Sequence, residues 1–157
     1  MSRMERDDPA ASKARLRLWL RLLAVSRMVE GELRERLRGH DSTLPRFDVM
    51  AALSRAPEGL KMSELSSVLR VSNGNVTGIV DRLEAEGLAV RLPVHGDRRA
   101  MLARLTPAGE ASFAALAGRH EAWVNELLGA VTPAEAEHLI EQLRTVRNRR
   151  AERETKT

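Results

Sequence analysis

The feature that most constrains the fold of this sequence is a change in the spacing of its apolar residues at Gly87. Before Gly87, apolar residues recur at every third or fourth position, which is typical of helices. After it, residues 88–92 and 102–105 are short and largely apolar runs that are typical of paired strands, with residues 93–99 as the loop of a hairpin. Helices followed by a small antiparallel sheet are therefore predicted.

Two short helices are predicted directly before the hairpin. The first covers residues 62–70, and the second begins near Val76 and ends at Gly87. Residues 71–74 form a tight turn between them, in which Ser72 is expected to cap the second helix. Two helices joined by such a turn and followed by a β-hairpin are a winged helix-turn-helix.

Long helices are predicted on both sides of this unit, over residues 13–38, from Thr106-Pro107 onward, and from a capping box at Thr132 and Glu135 to the charged tail that begins at Arg147. Six of their apolar residues have no other core to join, so a second copy of the chain is expected to cover them: Leu16, Leu20, Leu23, Leu139, Leu143 and Val146. The predicted fold class is mainly α. Residues 1–12 are expected to be a flexible tail, 13–40 and 107–153 a helical dimerisation region, and 41–106 the winged helix-turn-helix domain.

Composition excludes several classes of protein. The 157 residues include no cysteine, which excludes disulfides, thiolate metal sites and a cysteine redox switch. Only 3% are aromatic, so the core must be aliphatic. The four histidines lack metal-ligand spacing and no catalytic motif occurs, so we predict no enzyme activity, no metal and no cofactor. We see no secretory signal and no long apolar run, and expect a cytoplasmic protein without a membrane partner.

The second helix of the helix-turn-helix is predicted to be a DNA recognition helix. Its side opposite the buried one carries Gly74, Gly78, Asp81 and Ala85. Glycine is unfavourable in an exposed helix, but it permits a close approach to a groove wall. Asn73 and Asn75 are expected to read adenine edges, and Thr77 to contact a phosphate or a thymine methyl. The remaining candidates on this element are Ser72 and Arg82; an ordinary surface helix is the alternative.

The predicted hairpin loop is basic. Arg98 and Arg99 are expected at its tip, where a planar cation can enter a narrow minor groove, and His95 lies beside them. Asp97 is expected to be structural, either holding one arginine or capping the turn. The alternative is a solvated loop that binds nothing.

Several fragments between Leu60 and Gly109 occur in a specific order and spacing. They include Met62-Ser63-Glu64-Leu65, Val80-Asp81-Arg82-Leu83-Glu84, Glu86-Gly87-Leu88, Asp97-Arg98-Arg99-Ala100 and Leu105-Thr106-Pro107-Ala108-Gly109. In this order they resemble the MarR family of dimeric winged-helix regulators. The resemblance implies a homodimer on double-stranded DNA, with recognition helices in successive major grooves and wings in the minor groove. It also implies a small-molecule pocket where the dimer helices meet the winged helix.

The effector is expected to be a small aromatic acid or its CoA thioester. Residues 16–23, 44–48 and 71–78 look similar to regulators of hydroxycinnamate and related aromatic-acid catabolism, some of which sense an aromatic acyl-CoA such as p-coumaroyl-CoA. The candidate apolar contacts are Trp19, Leu23, Phe47, Met50 and Phe113, and the candidate anion contacts are Arg27, Arg46 and His120. For the aromatic residues, plain core packing is the alternative.

The function expected from these features is that of a ligand-responsive transcriptional repressor. Two alternatives stay open: a winged helix that serves as a protein-interaction module, and a DNA-binding regulator or activator that needs no ligand. Activation and repression differ in where the operator lies relative to the promoter, and the sequence of the regulator does not contain that information.

Overall fold

The computed structural model of the chain describes residues 9–69 and 74–154. The elements are α1 (Pro9–Arg38), α2 (Leu44–Ser54), β1 (Leu60–Lys61), α3 (Met62–Val68), α4 (Val76–Ala85), β2 (Ala89–Val94), β3 (Asp97–Leu105), α5 (Pro107–Leu127) and α6 (Pro133–Glu154). The mainly helical winged-helix fold is confirmed. None of these helices is long and apolar enough to cross a membrane.

The described residues form two compact units that divide between Ala122 and Trp123. The first unit contains α1, the winged helix and most of α5. The second contains the last turn of α5 and α6, which begins with the predicted capping box: Thr132 Oγ1 accepts from the backbone N–H of Glu135 at 3.4 Å, and the Glu135 carboxylate accepts from that of Thr132 at 2.8 Å. These two reciprocal bonds satisfy backbone donors that a helix N-terminus otherwise leaves unpaired.

The wing is a three-stranded antiparallel sheet in the order β1-β3-β2. Strand β3 pairs with β2 in a register that places Ala89 opposite Leu105 and Leu92 opposite Leu102. Its other edge pairs with β1, where Leu60 lies opposite Ala103. Strand β1 was not predicted, because two residues are too few to show an alternating pattern.

The core of the first unit is aliphatic, as predicted. Helices α2, α3 and α4 pack with the sheet around side chains that are fully buried, among them Val49, Leu53, Leu65, Val80, Leu83 and Ala103. An aliphatic core of this kind is stabilised mainly by removal of apolar area from water, at about 25 cal/mol per Å². It fixes the side of α4 that faces inward, and so determines which side remains for a ligand.

Two predicted helix boundaries differ from the structure. The described part of α1 begins at Pro9 instead of residue 13. Helix α2 begins at Leu44, where Thr43 Oγ1 accepts from the backbone N–H of Arg46 at 3.3 Å. The prediction that the last helix gives way to a charged tail after Val146 was wrong: α6 continues to Glu154. Arginine, alanine and glutamate are good helix formers, so a polar sequence without an apolar stripe can extend a helix.

The start of α5 is attached to the end of α4. Thr106 caps α5, as predicted, by accepting from the backbone N–H of Gly109 at 3.0 Å, and its hydroxyl donates to the carbonyl of Gly87 at 2.7 Å. Gly109 lies so close to Leu88 that a Cβ there would be 1.9 Å from the Leu88 carbonyl oxygen. The sequence Leu105 to Gly109 therefore joins the wing, α4 and α5 at one point.

Candidate nucleic-acid interface and aromatic cluster

The N-terminus of α4 is capped by Asn75. Its side-chain Oδ1 accepts from the backbone N–H of Gly78 at 3.2 Å. The prediction that Ser72 caps this helix was therefore wrong, because the helix begins at Val76, as predicted, and its N-cap is the residue directly before it. The DNA-binding candidates Ser72 and Asn73 lie outside the described residues. For Asn75 the cap occupies the side-chain oxygen, so that its amide NH₂ is the group that faces away from the cap.

The two glycines assigned to the exposed side of α4 have different surroundings. Gly74 precedes the helix, and a Cβ there would lie 2.6 Å from Cβ of Pro45 at the start of α2. Its assignment to a flat helix face was wrong, because the close contact is with the protein itself. Gly78 lies within the first turn of α4, and among the described residues a Cβ there would meet only Asn75, at 3.6 Å. Packing against the described part of the chain therefore gives no reason for a glycine at position 78.

The outward side of α4 carries exposed polar groups. Thr77, Asp81, Arg82 and Ala85 are exposed, whereas Val76, Val80 and Leu83 are buried, as the helical pattern predicted. Thr77 and Arg82 are therefore available to a ligand outside the protein. Asp81 is not an isolated acid, because it pairs with Arg91 of the wing at 2.7 Å.

The wing turn is shorter than predicted. Strands β2 and β3 reach Val94 and Asp97, so that the turn consists of His95 and Gly96 alone, with Gly96 at φ +85°. The prediction of a loop over residues 93–99 with Arg98 and Arg99 at its tip was wrong, because proline and charged residues are tolerated in an exposed edge hairpin. Both arginines are exposed at the start of β3, directly after the turn.

Asp97 has the structural role expected of it. Its Oδ1 accepts from the backbone N–H of Arg99 at 3.0 Å, which closes the turn. The arrangement leaves the side chains of His95, Arg98 and Arg99 exposed on one short stretch of the wing. Two guanidinium groups and an imidazole thus lie within five residues, and such a set of hydrogen-bond donors is suitable for binding phosphates.

Arg91 attaches the wing to α4. Its guanidinium pairs with Asp81 and Glu84 of α4, and its backbone N–H donates to Glu84 at 2.9 Å. The charge of Arg91 is therefore used within the protein. Asp81 and Glu84 are three residues apart and therefore lie on the same face of the helix. Their spacing in the sequence could have indicated a nearby cation. Thr77 and Arg82 of α4 and the basic wing are thereby parts of one connected surface.

Three of the effector candidates form an aromatic cluster. The Phe47 ring of α2 stacks on His120 of α5, with ring centroids 4.4 Å apart and planes inclined by 20°. Phe47 also contacts Phe113 at 5.5 Å in a tilted arrangement. Phe47 and Met50 are buried, and Phe113 packs against the core as a half-buried residue. The cluster is therefore continuous with the core of the winged helix.

His120 is the titratable member of this cluster. Partial burial lowers the pKa of its imidazole, and the charge of Asp48, one residue after Phe47, opposes that shift to a smaller extent. The neutral imidazole is thus favoured, in keeping with its stacking on a phenyl ring. Protonation of His120 would provide a cation next to an aromatic surface.

The effector candidates on α1 are more accessible. Trp19 is 55% exposed in the single chain, Arg27 is exposed and Leu23 is half-buried. These side chains are not part of the ring contacts between α2 and α5. Among the described residues there is no group of three or more histidine, cysteine, aspartate or glutamate side chains placed to hold a metal ion.

Arg46 is bound within the protein. Both terminal nitrogens of its guanidinium donate to the carboxylate of Glu86, the C-cap residue of α4, and one of these bonds is 3.1 Å long. Hydrogen bonding to Arg46 lowers the pKa of Glu86, and the charges of Arg46 and Arg82 act in the same direction. An effector anion at Arg46 would have to compete with Glu86. Sequence reasoning missed this pair because its members are 40 positions apart.

The chain is similar in sequence and in fold to known transcriptional regulators. Residues 40–100 match the model of the MarR family. The crystal structure of a MarR family transcriptional regulator from Silicibacter pomeroyi is 34% identical, with a TM-score of 0.73, over 90% of this chain and 98% of that one. The crystal structure of a mutant MarR from E. coli complexed with operator DNA is 28% identical, with a TM-score of 0.68, over 89% of this chain and 99% of that one. The transcriptional activatory protein BadR from Rhodopseudomonas palustris is 29% identical over 90% of this chain and 83% of its own length.

Proposed function

This chain belongs to the MarR family of DNA-binding transcriptional regulators, and we propose that it acts as a homodimeric repressor that an aromatic acid, or the CoA thioester of such an acid, releases from DNA. The observation that carries the proposed interface is the attachment of the wing to α4 by Arg91. Because of it, Thr77 and Arg82 on the helix and Arg98 and Arg99 on the wing act on DNA as one unit. In this proposal α4 reads base edges in the major groove, and the arginines enter the adjacent minor groove.

The homodimer is proposed from the apolar surface of the terminal helices. Leu16 and Leu20 on α1 are more than half exposed in the single chain, and on α6 Leu139, Leu143 and Val146 are 49%, 48% and 69% exposed. Two α6 apolar residues at a spacing of four and a third three further on form one stripe. A second copy of the chain is the occupant that would cover these stripes. Two recognition helices related by a two-fold axis then require a pseudo-palindromic operator with half-sites roughly 10 base pairs apart.

The effector proposal rests on the aromatic cluster and on basic residues of α1. An aromatic ring has two partners of its own kind in Phe47 and Phe113. The imidazole of His120 offers a carboxylate an N–H donor, and a bound carboxylate would favour the protonated ring. Trp19, Leu23, Arg27 and Met50 are proposed to complete the pocket. Arg17 and Arg21, exposed one turn apart on α1, are suited to the phosphates of a CoA moiety.

The experiment that tests this function is DNA binding by the purified chain to the DNA directly upstream of its own gene, followed by titration with p-coumarate and with p-coumaroyl-CoA. Release by the thioester alone supports an effector site that includes the α1 arginines. Release by the free acid retains the repressor and removes the CoA moiety from the proposal. A folded dimer that does not bind the DNA at moderate salt would instead favour a protein-interaction module.

Activation is a second candidate function, because a relative that is 29% identical over most of this chain is named a transcriptional activatory protein. The two functions are distinguished by transcription in vitro from the bound promoter with added protein. A fall in transcript supports the repressor, and a rise supports the activator. The interface proposed for α4 and the wing is the same in both.

A further inference from the structure

Three consecutive residues at the start of α2 contact three different parts of the first unit. Pro45 packs against Gly74, just before α4, so closely that a Cβ on Gly74 would be 2.6 Å from it. Arg46 pairs with Glu86, the residue that ends α4. Phe47 stacks on His120 of α5. One short segment thus contacts both ends of α4 and the aromatic cluster.

The Arg46–Glu86 pair is bidentate, and its arginine is largely shielded from solvent. The Arg46 side chain is only 18% exposed, and two of its nitrogens bind both oxygens of Glu86. By contrast, the pair of Arg34 and Glu30 on α1 is made by one nitrogen and one oxygen at 2.7 Å, and both side chains are about half exposed. Bidentate arginine pairs fix an orientation as well as a distance.

We propose that Pro45, Arg46 and Phe47 form a positioning segment that sets the placement of α4, so that discrimination between DNA sequences depends on the Arg46–Glu86 pair although neither side chain binds DNA. This proposal rests on the proposed role of α4 as the recognition helix. It also assigns the route by which occupation of the aromatic cluster reaches α4, since a ligand that moves Phe47 moves the two residues that contact the ends of α4.

The direction in which Glu86→Gln changes DNA affinity distinguishes a positioning role from a purely electrostatic one. Glu86→Gln removes a negative charge from the end of α4, and removal of a charge of the same sign as DNA strengthens binding to any duplex if electrostatics alone acts. A positioning role predicts the opposite on a specific site, because loss of the charged pair releases the end of the helix. Arg46→Gln is predicted to weaken specific binding without changing the slope of affinity against salt, since Arg46 makes no phosphate contact.

The test compares two duplexes of equal length with the full chain: one that the wild-type protein selects from a random library, and one of random sequence. Arg46→Gln and Glu86→Gln are each expected to lower the ratio of the two affinities about tenfold. The matched controls Arg34→Gln and Glu30→Gln, which make the same charge changes in an exposed pair, are expected to leave the ratio within about twofold. The exchanged pair Arg46→Glu with Glu86→Arg is expected to recover part of the loss.

Thermal melts show whether each variant is folded. Arg46→Lys keeps the charge but not the bidentate geometry, and its ratio of affinities is expected to lie between those of the wild type and Arg46→Gln. Tighter binding of the selected duplex by Glu86→Gln, or an equal loss on both duplexes for Arg46→Gln, would overturn the positioning role. If the wild-type chain selects no duplex, the proposed function fails and this proposal fails with it.

A double-mutant cycle tests the link to the aromatic cluster. His120→Ala removes the ring that stacks on Phe47, and Phe47 is the neighbour in the chain of Arg46, which pairs with Glu86. We expect the effects of His120→Ala and Glu86→Gln on the affinity ratio to be non-additive. Strictly additive effects would show that the cluster and α4 are independent and would overturn the assigned route.

Discussion

Gly109 has a neighbour that leaves no room for a side chain. A Cβ at this position would lie 1.9 Å from the carbonyl oxygen of Leu88, and the oxygen is held by the backbone N–H of Thr106 at 3.0 Å. A methyl group can be accommodated there only if the start of α5 moves away from the end of α4. The resemblance to known regulators placed a glycine at the end of a shared fragment, and the structure gives the steric reason for it.

Gly109→Ala is predicted to lower the free energy of unfolding by about 1–3 kcal/mol, since it introduces a steric overlap with backbone. Urea denaturation measures the change. Gly118→Ala is the matched control on the same helix, because no atom of the part of the chain that the structure describes lies within 4 Å of its Cβ position and alanine is the better helix former. The control is expected to be neutral or stabilising, and an equal loss in both variants would contradict the steric explanation.

His120 is predicted to make stability depend on pH. Burial lowers the pKa of the folded imidazole below its unfolded value of about 6.5, so the unfolded chain binds the proton more readily. The contribution of neutral His120 is fully present above the unfolded pKa and is lost as the pH falls through about 6.5 toward the folded pKa.

Urea denaturation of wild type and His120→Gln at a series of pH values measures this effect. The wild type is expected to lose more stability than the variant between about pH 7.5 and pH 5.5. His138→Gln, which alters an exposed histidine of α6, serves as the control and is expected to follow the wild type. Parallel curves for wild type and His120→Gln would show that the cluster tolerates the imidazolium.

At the scale of elements, α4 provides a test of close approach to DNA. Gly78→Ala adds a methyl group that, within residues 9–69 and 74–154, meets only Asn75 at ordinary contact distance. It is predicted to leave the stability of the free protein unchanged or raised by up to about 1 kcal/mol. If this face lies against a groove wall, the same methyl group weakens DNA binding by about 1–3 kcal/mol. Denaturation and DNA titration on one preparation separate the two effects, and unchanged DNA affinity would place the groove elsewhere.

The wing is predicted to contribute phosphate contacts through its exposed arginines. Arg98→Ala and Arg99→Ala are each expected to weaken binding to specific and random duplexes alike and to reduce the slope of log affinity against log salt by about one. Titrations at several salt concentrations measure the slope, with Arg34→Ala of α1 as a control for net charge. An unchanged slope in both wing variants would remove the wing from the interface.

Helix and strand boundaries that depend on interactions between residues close in sequence were predicted correctly. Those that depend on residues far apart in sequence were not. Thr106-Pro107 and the Thr132–Glu135 box give the starts of α5 and α6 because the capping groups are three residues from the donors that they satisfy. Strand β1 exists only because β3 lies beside it. The predicted wing turn was too long, because proline and charged residues, such as those at position 93 and after Gly96, are also common in loops.

In the candidate site, too, the features set by nearby residues were predicted from the sequence and the long-range pairs were not. The exposed side of α4 and the basic character of the wing follow from helical phase and composition, and the aromatic cluster was anticipated as a set of residues although not as a stack. The bonds of Arg91 and Arg46 were not anticipated. Arg46 had been a candidate anion contact for the effector, and only the fold brings acids from other elements to the two arginines.

At the scale of the whole molecule, the apolar stripe of α6 is predicted to hold two copies together. Leu143→Glu introduces an unpaired charge into the proposed interface and is expected to weaken the dimer roughly a hundredfold, since burial of such a charge costs several kcal/mol. Sedimentation velocity at a series of protein concentrations measures the change. Specific DNA binding is expected to fall with it, because each half-site is then bound by a single copy.

Asn148→Glu is the matched control for this variant. It adds the same charge on the opposite side of α6, where the side chain is exposed, and is expected to leave the dimer intact. Equal dissociation of both variants would attribute the effect to net charge. A monomeric wild-type chain would remove the proposed dimer altogether.

Strand β2 forms one open edge of the wing sheet, and Pro93 is exposed near the end of that edge. A proline has no N–H to offer to a passing strand, and the irregular register between Pro93 and Val94 further disturbs the edge as a template. A protein that projects hairpins into solvent whenever it is not on DNA is exposed to edge-to-edge aggregation. In the protein that is not bound to DNA, Pro93 is therefore expected to disfavour the pairing of strand β2 with a strand of another molecule.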